Sequence, residues 1–229
     1  MPNNVHTHSD NPAFMPTHYP IPPLRRKHAL SIRIWHWTSF VGVTLALLTV
    51  CLAKTMFSSK TYAPLIQGKL QQSGISLTDD QAKSVAKLYS HAIWDWHVYI
   101  GYGLTILLAY RIILEFFQLK DQKIIGITKA AIVYLRGNNN KETQHYLLKQ
   151  VMYWVYYLVI TLMILTGLFI EFSSEYPDLK PIRKVIKNIH GIGMYIIIAF
   201  VLLHIAGVLR AEFNKKSKGL ISAMINGGE

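Results

Sequence analysis

Four stretches of this chain run for about 20 residues with almost no ionisable side chain, the length an α-helix needs to cross roughly 30 Å of hydrocarbon at about 1.5 Å per residue. They fall at approximately 34–54, 92–114, 150–171 and 189–209. Inside a bilayer the backbone N–H and C=O groups have no water to bond, so each stretch must satisfy them internally as a helix. The composition agrees. Of 229 residues, 51% are hydrophobic and 16% charged, against about 25% charged in an ordinary soluble domain. The sequence therefore predicts an all-α fold, an integral membrane four-helix bundle connected up-down-up-down.

A formal charge of +12 raises the question of a nucleic-acid partner, but that requires Lys and Arg to form a stripe on a folded soluble surface. Here they flank the apolar runs, as contact with a lipid bilayer and its anionic headgroups demands; no nucleic-acid partner is predicted. Segments 1–33, 115–149 and 210–229 hold 14 Lys and Arg, while 55–91 and 172–188 hold 8, or 9 with Lys54. The excess predicts that both termini are cytoplasmic. Residues 1–30 read as a disordered cytoplasmic tail ending in Arg25, Arg26 and Lys27, residues 31–212 as the membrane domain, and residues 213–229 as a cytoplasmic C-terminal tail. No cleavage site follows the first apolar run, which acts as a retained anchor. In the outer segment, Ser76 or Thr78 is expected to cap a short helix running toward Tyr89. In the inner segment, IGITKAAIVYLRG reads as an interfacial helix and Asn138–Asn140 as a turn. Cys51, the single cysteine, has no disulfide or CxxC partner within the chain.

Ionisable groups within a span are costly, face the bundle interior and mark function by default. Four of the ten histidines lie in spans: His36, His97, His190 and His204. One such histidine alone is as well explained by a hydrogen bond to a neighbouring helix; four in register are not. His190 and His204 are 14 residues apart, which returns them to within about 40° of one direction and separates them by about 21 Å along the helix. His36 starts a helix that begins inside, and His97 starts one that begins outside. By depth, His36 pairs with His204 and His97 with His190, giving a bis-histidine site near each membrane surface. Facing imidazoles suit haem iron, which takes axial ligands from both sides, so two haem b groups are expected in the bundle core. A structural zinc site wants four ligands at one point; Asp95 near the outer pair leaves zinc open as an alternative.

Basic groups near haem edges would neutralise propionates. Arg33, Arg111 and Arg210 qualify on the inner side and Lys187 or Arg183 on the outer, although snorkelling or the positive-inside bias is the plainer account of any one of them. Arg33, Arg111 and His145 are also candidate quinone contacts by depth, with a solvated loop histidine as the plainer account of His145. Gly42, Gly101, Gly191, Gly193 and Gly207 near the histidines would admit a flat ring, or would simply serve helix contacts. Trp35, Trp37, Trp94, Trp96 and Trp154 at span ends read as an aromatic belt. His91 lies on a different face from His97.

These residues carry a family resemblance. RIWHW at Arg33–Trp37, HVYIG with the following YRI, LTG near the end of the third span, HGIGMYIIIAFVLLH, and the tail RAEFNKKSKGLISAMINGG resemble the bacterial cytochrome b561 and nickel-iron hydrogenase cytochrome b-subunit family. The resemblance covers nearly everything from about residue 30 onward. It implies that His36, His97, His190 and His204 hold two haems in the bacterial inner membrane. It also implies an electron path between a periplasmic iron-sulfur or dehydrogenase subunit, such as that of a hydrogenase, and the quinone pool. The polar outer segment 55–91 is longer than in compact members and offers a docking surface. The alternatives are a stand-alone superoxide oxidase-like enzyme, drawing an anion to Lys180, Arg183, Lys184 and Lys187, and a haem-free transporter or zinc-binding protein.

Overall fold

The computed structural model describes residues 29–117, 141–214 and 219–227. The N-terminal tail, the expected interfacial helix, the Asn138–Asn140 turn and the His145 side chain lie outside the described residues. The elements are α1 (Leu30–Lys54), α2 (Ser59–Gln72), α3 (Asp79–Phe117), α4 (Lys141–Phe172), α5 (Lys180–Phe213) and α6 (Leu220–Asn226), with two single-turn 3-10 helices, Ser173–Glu175 and Pro177–Leu179, between α4 and α5. Among the described residues there is no strand.

Four of these helices, α1, α3, α4 and α5, are long and apolar enough to cross a membrane. Their outward faces carry large apolar side chains such as Ile106, Leu158 and Leu203, all more than 60% exposed, the inverse of a soluble surface and a match for lipid. Hydroxyls within the spans are satisfied on their own helices. Thr38, Thr44 and Thr105 donate to the carbonyls of Ile34, Phe40 and Gly101, each at 2.8 Å, so none is left bare in hydrocarbon. The core at mid-height joins all four helices through Val43, Val159, Ile160 and Ile197, flanked by Leu47, Leu104, Leu108 and Met163.

Helix α3 is 39 residues long, about 58 Å at 1.5 Å per residue and nearly twice the hydrocarbon thickness. Its start is fixed by a capping box at Thr78. The Thr78 N–H donates to Gln81 Oε1 at 2.9 Å, and the Gln81 N–H donates to Thr78 Oγ1 at 3.3 Å. The expected cap at Thr78 is present, but the helix it opens continues past Tyr89 straight into the second span. Nothing between Tyr89 and Trp94 breaks a helix, and the mixed polarity there marks only where α3 changes surroundings. Against this projecting part lies α2, which sequence periodicity did not announce. It is capped by Ser58, whose Oγ accepts from the Thr61 N–H at 3.3 Å, and it ends before Gly74, whose φ of 78° permits the tight return. Ala63 on α2 meets Ala82 and Ala86 one turn apart on α3, both fully buried.

At the opposite end, α6 sits between Gly219 and Gly227, both in the left-handed region. The Glu212 carboxylate accepts from the Gly219 N–H at 3.1 Å and the Ile221 N–H at 3.3 Å. Arg33 Nη1 donates to the Ile225 carbonyl at 2.6 Å and Trp37 Nε1 to the Met224 carbonyl at 3.0 Å, tying α6 to the first turns of α1.

Candidate cofactor site

The four spanning helices form two close pairs, α1 along α3 and α4 along α5, joined through α3 and α4; α5 makes hardly any close approach to α1 or α3. Across that opening its two histidines face partners on the other pair. The rings of His36 and His204 have centroids 6.3 Å apart at 55°. Those of His97 and His190 are also 6.3 Å apart, at 88°. Rings in direct edge-on contact span about 4.5–7 Å, so the distance alone admits packing, and it also admits an ion between the rings. An imidazole nitrogen lies about 2 Å from a first-row metal ion, so two rings ligating one ion from opposite sides have centroids on the order of 6 Å apart.

The spacing along α5 explains how one helix serves two sites. Ile197 stands seven residues from both His190 and His204, close to the same face. At 4% exposed it packs into the apolar layer that separates the two pairs.

The pair of His97 and His190 is held by hydroxyls that sequence reasoning missed. Thr49 Oγ1 lies 2.9 Å from His97 Nδ1, and Thr166 Oγ1 lies 2.9 Å from His190 Nδ1. Both threonines are buried, and each belongs to the helix packed beside the histidine's own. Gly167 lets the His190 ring lie close: a Cβ there would come within 3.2 Å of His190 Cε1. The LTG motif thus supplies both the hydroxyl and the room. At the other pair, the His204 ring stacks on Phe200 at 6.0 Å and 5°, and the Trp37 indole meets His36 edge-on at 5.4 Å.

The glycines divide by role. A Cβ at Gly42 would meet Leu104 at 2.8 Å, and one at Gly193 would collide with Met163, so these two admit close helix packing. Gly101, Gly191 and Gly207 have open space where a Cβ would point.

Arg111 is 6% exposed. It pairs with Glu115 at 3.2 Å, donates from Nε to the Tyr157 hydroxyl at 3.0 Å, and lies 6.0 Å from the Trp35 ring and 5.8 Å from that of Tyr157. Trp35 is not part of an aromatic belt. It is 8% exposed, and its Nε1 donates to the Leu107 carbonyl at 2.9 Å, because the RIWHW register turns Trp35 toward α3 while Trp37 points outward. Arg183 Nε donates to the Ile170 carbonyl at 2.9 Å, closing the end of α4. Arg33 lies one turn before His36, and its buried Nε has no hydrogen-bond partner. His91 is exposed. Among the described residues, no group of three His, Cys, Asp or Glu side chains gathers to hold a metal ion, so the histidines meet only in pairs. That donor set fits haem, whose macrocycle supplies the remaining ligands.

Residues 27–227 match the family model described as prokaryotic cytochrome b561. No curated protein and no solved structure gives a match.

Proposed function

Since the chain belongs to the prokaryotic cytochrome b561 family, and so is a multi-pass membrane protein that binds haem b and transfers electrons, we propose that it holds two haems. One lies between His36 and His204, the other between His97 and His190. In this reading electrons pass between a redox partner on the side of the α2–α3 hairpin and the quinone pool. The observation that carries it is the repeated ring separation of 6.3 Å in two pairs, which suits one ion between each pair. When bound, haem supplies a one-electron Fe(III)/Fe(II) couple near each membrane surface.

The residues of the chain do the rest. The imidazoles hold each iron, and the Ile197 layer keeps water out of the space between. Arg33, with its unsatisfied buried Nε, is the group assigned to a propionate of the haem at His36. Arg111 and His145 are the groups proposed at the quinone end. The Lys and Arg excess supports termini in the bacterial cytoplasm, with the hairpin and the His97–His190 pair on the periplasmic side. The projecting hairpin there supports docking of an iron-sulfur or dehydrogenase subunit, as in a hydrogenase complex. A second reading, a stand-alone superoxide:ubiquinone oxidoreductase, draws on Lys180, Lys184 and Lys187, which are exposed at the start of α5 on the same side.

The test is to add a quinol to the oxidised, purified protein in liposomes and record the reduced-minus-oxidised spectrum. Low-spin b-type bands that appear with quinol support the reading. Bands that appear with dithionite alone contradict the quinone link. Copurification with an iron-sulfur subunit supports the complex; reduction of the haems by superoxide without any partner supports the second reading.

A further inference from the structure

Two threonines stand in the same relation to two histidines, and this arrangement says more than that the hydroxyls are satisfied. Thr49 Oγ1 is 2.7 Å from the Ala46 carbonyl on its own helix, and Thr166 Oγ1 is 2.6 Å from the Leu162 carbonyl and 3.1 Å from that of Met163. A carbonyl only accepts, so each hydroxyl proton goes to its own backbone. What remains on each oxygen is acceptor capacity, and the atom facing it is Nδ1 of His97 or His190, at 2.9 Å in both cases. His97 Nδ1 also lies 3.2 Å from the Ala46 carbonyl, which again can only accept. Both rings therefore carry their proton on Nδ1, donate it to threonine, and keep the Nε2 lone pair for a metal.

We infer that Thr49 and Thr166 are positioning residues for the haem between His97 and His190: each fixes the tautomer and the plane of one axial imidazole. The inference rests on the two-haem reading above and deepens it for one site. Threonine suits the task because its branched Cβ restricts the rotamer and its bond to the preceding turn locks the hydroxyl. Each threonine sits on the helix beside the histidine's own, so the ring plane is set by helix packing. The two rings stand at 88° to each other, against 55° at the other pair, where the neighbouring rings are Phe200 and Trp37.

Both effects are measurable. With haem bound, imidazoles held nearly perpendicular would bring the iron dxz and dyz orbitals of the ferric low-spin ion close in energy, which would give a highly anisotropic EPR signal. Donation from Nδ1–H raises the basicity of the ligand and favours Fe(III), which lowers the potential. The experiment compares wild type, Thr49→Val, Thr166→Val and the two Thr→Ser variants. It records haem content, EPR and a potentiometric titration of each haem. The valine variants should move the potential of the His97–His190 haem upward and alter its anisotropic signal, leaving the other haem unchanged; serine should restore both. Selective loss of that haem from a valine variant, with retention in the serine variant, supports the same assignment. Valine variants that keep both haems with potentials and EPR signals unchanged overturn it. Wild-type protein lacking a haem at this pair contradicts the two-haem reading itself, and the haem count identifies that failure separately.

Discussion

At the scale of single residues, the four histidines were legible because each is an ionisable group in an apolar run, and because helix direction sets its depth. His190 and His204 share a face by arithmetic alone. The threonines that hold two of them were not legible. Threonine is an ordinary residue in an apolar helix, and the ring it serves belongs to another helix, so its role exists only once the pairs are packed. Arg111 teaches a related lesson. Its depth made it a candidate for propionate or quinone contact, and in the structure it also pairs with Glu115 and donates to Tyr157 beneath Trp35. Removing one partner of a buried ion pair leaves the other charge poorly compensated, at a cost of about 3–5 kcal/mol. Arg111→Met should therefore lower stability by that order in a detergent unfolding titration, and the double change Arg111→Met with Glu115→Gln should recover most of it. A double variant no more stable than the single one would show that the pair is not the source of the cost.

Among the elements, the four spans were read from length and hydropathy, and all four appear as helices that overrun their apolar parts. The extensions escaped because a helix leaving the bilayer changes its periodicity without ending. α3 continues outward with Ala82 and Ala86 toward α2, and these small residues carry little hydrophobic signal, yet they let two helices approach closely. The short α6 was hidden for another reason. Seven residues make no stable helix alone; this one depends on Glu212, Arg33 and Trp37, which are distant in sequence or in role. The alanine contact gives a prediction confined to one element. Ala86→Leu should overpack the hairpin by about 1–3 kcal/mol, seen as faster amide exchange in α2, with the haem spectrum unchanged. A variant whose α2 exchange stays at the wild-type rate would contradict the packing described.

For the whole molecule, the arrangement explains how one chain brings two pairs of histidines together. Two close helix pairs, α1 with α3 and α4 with α5, leave an opening between α5 and the first pair. One helix, α5, lines that opening at both ends with histidines 14 residues apart, about 21 Å along its axis. The apolar layer at Ile197 lies between the two histidine pairs, so the two-haem proposal expects that loss of one site leaves the other standing. The most direct test is the ratio of haem b to protein in purified wild type, His97→Ala and His36→Ala, each corrected for the folded fraction. Two haems per chain in wild type and one in each variant is the predicted result. A single haem in wild type, or the loss of both haems from either folded variant, would contradict the account.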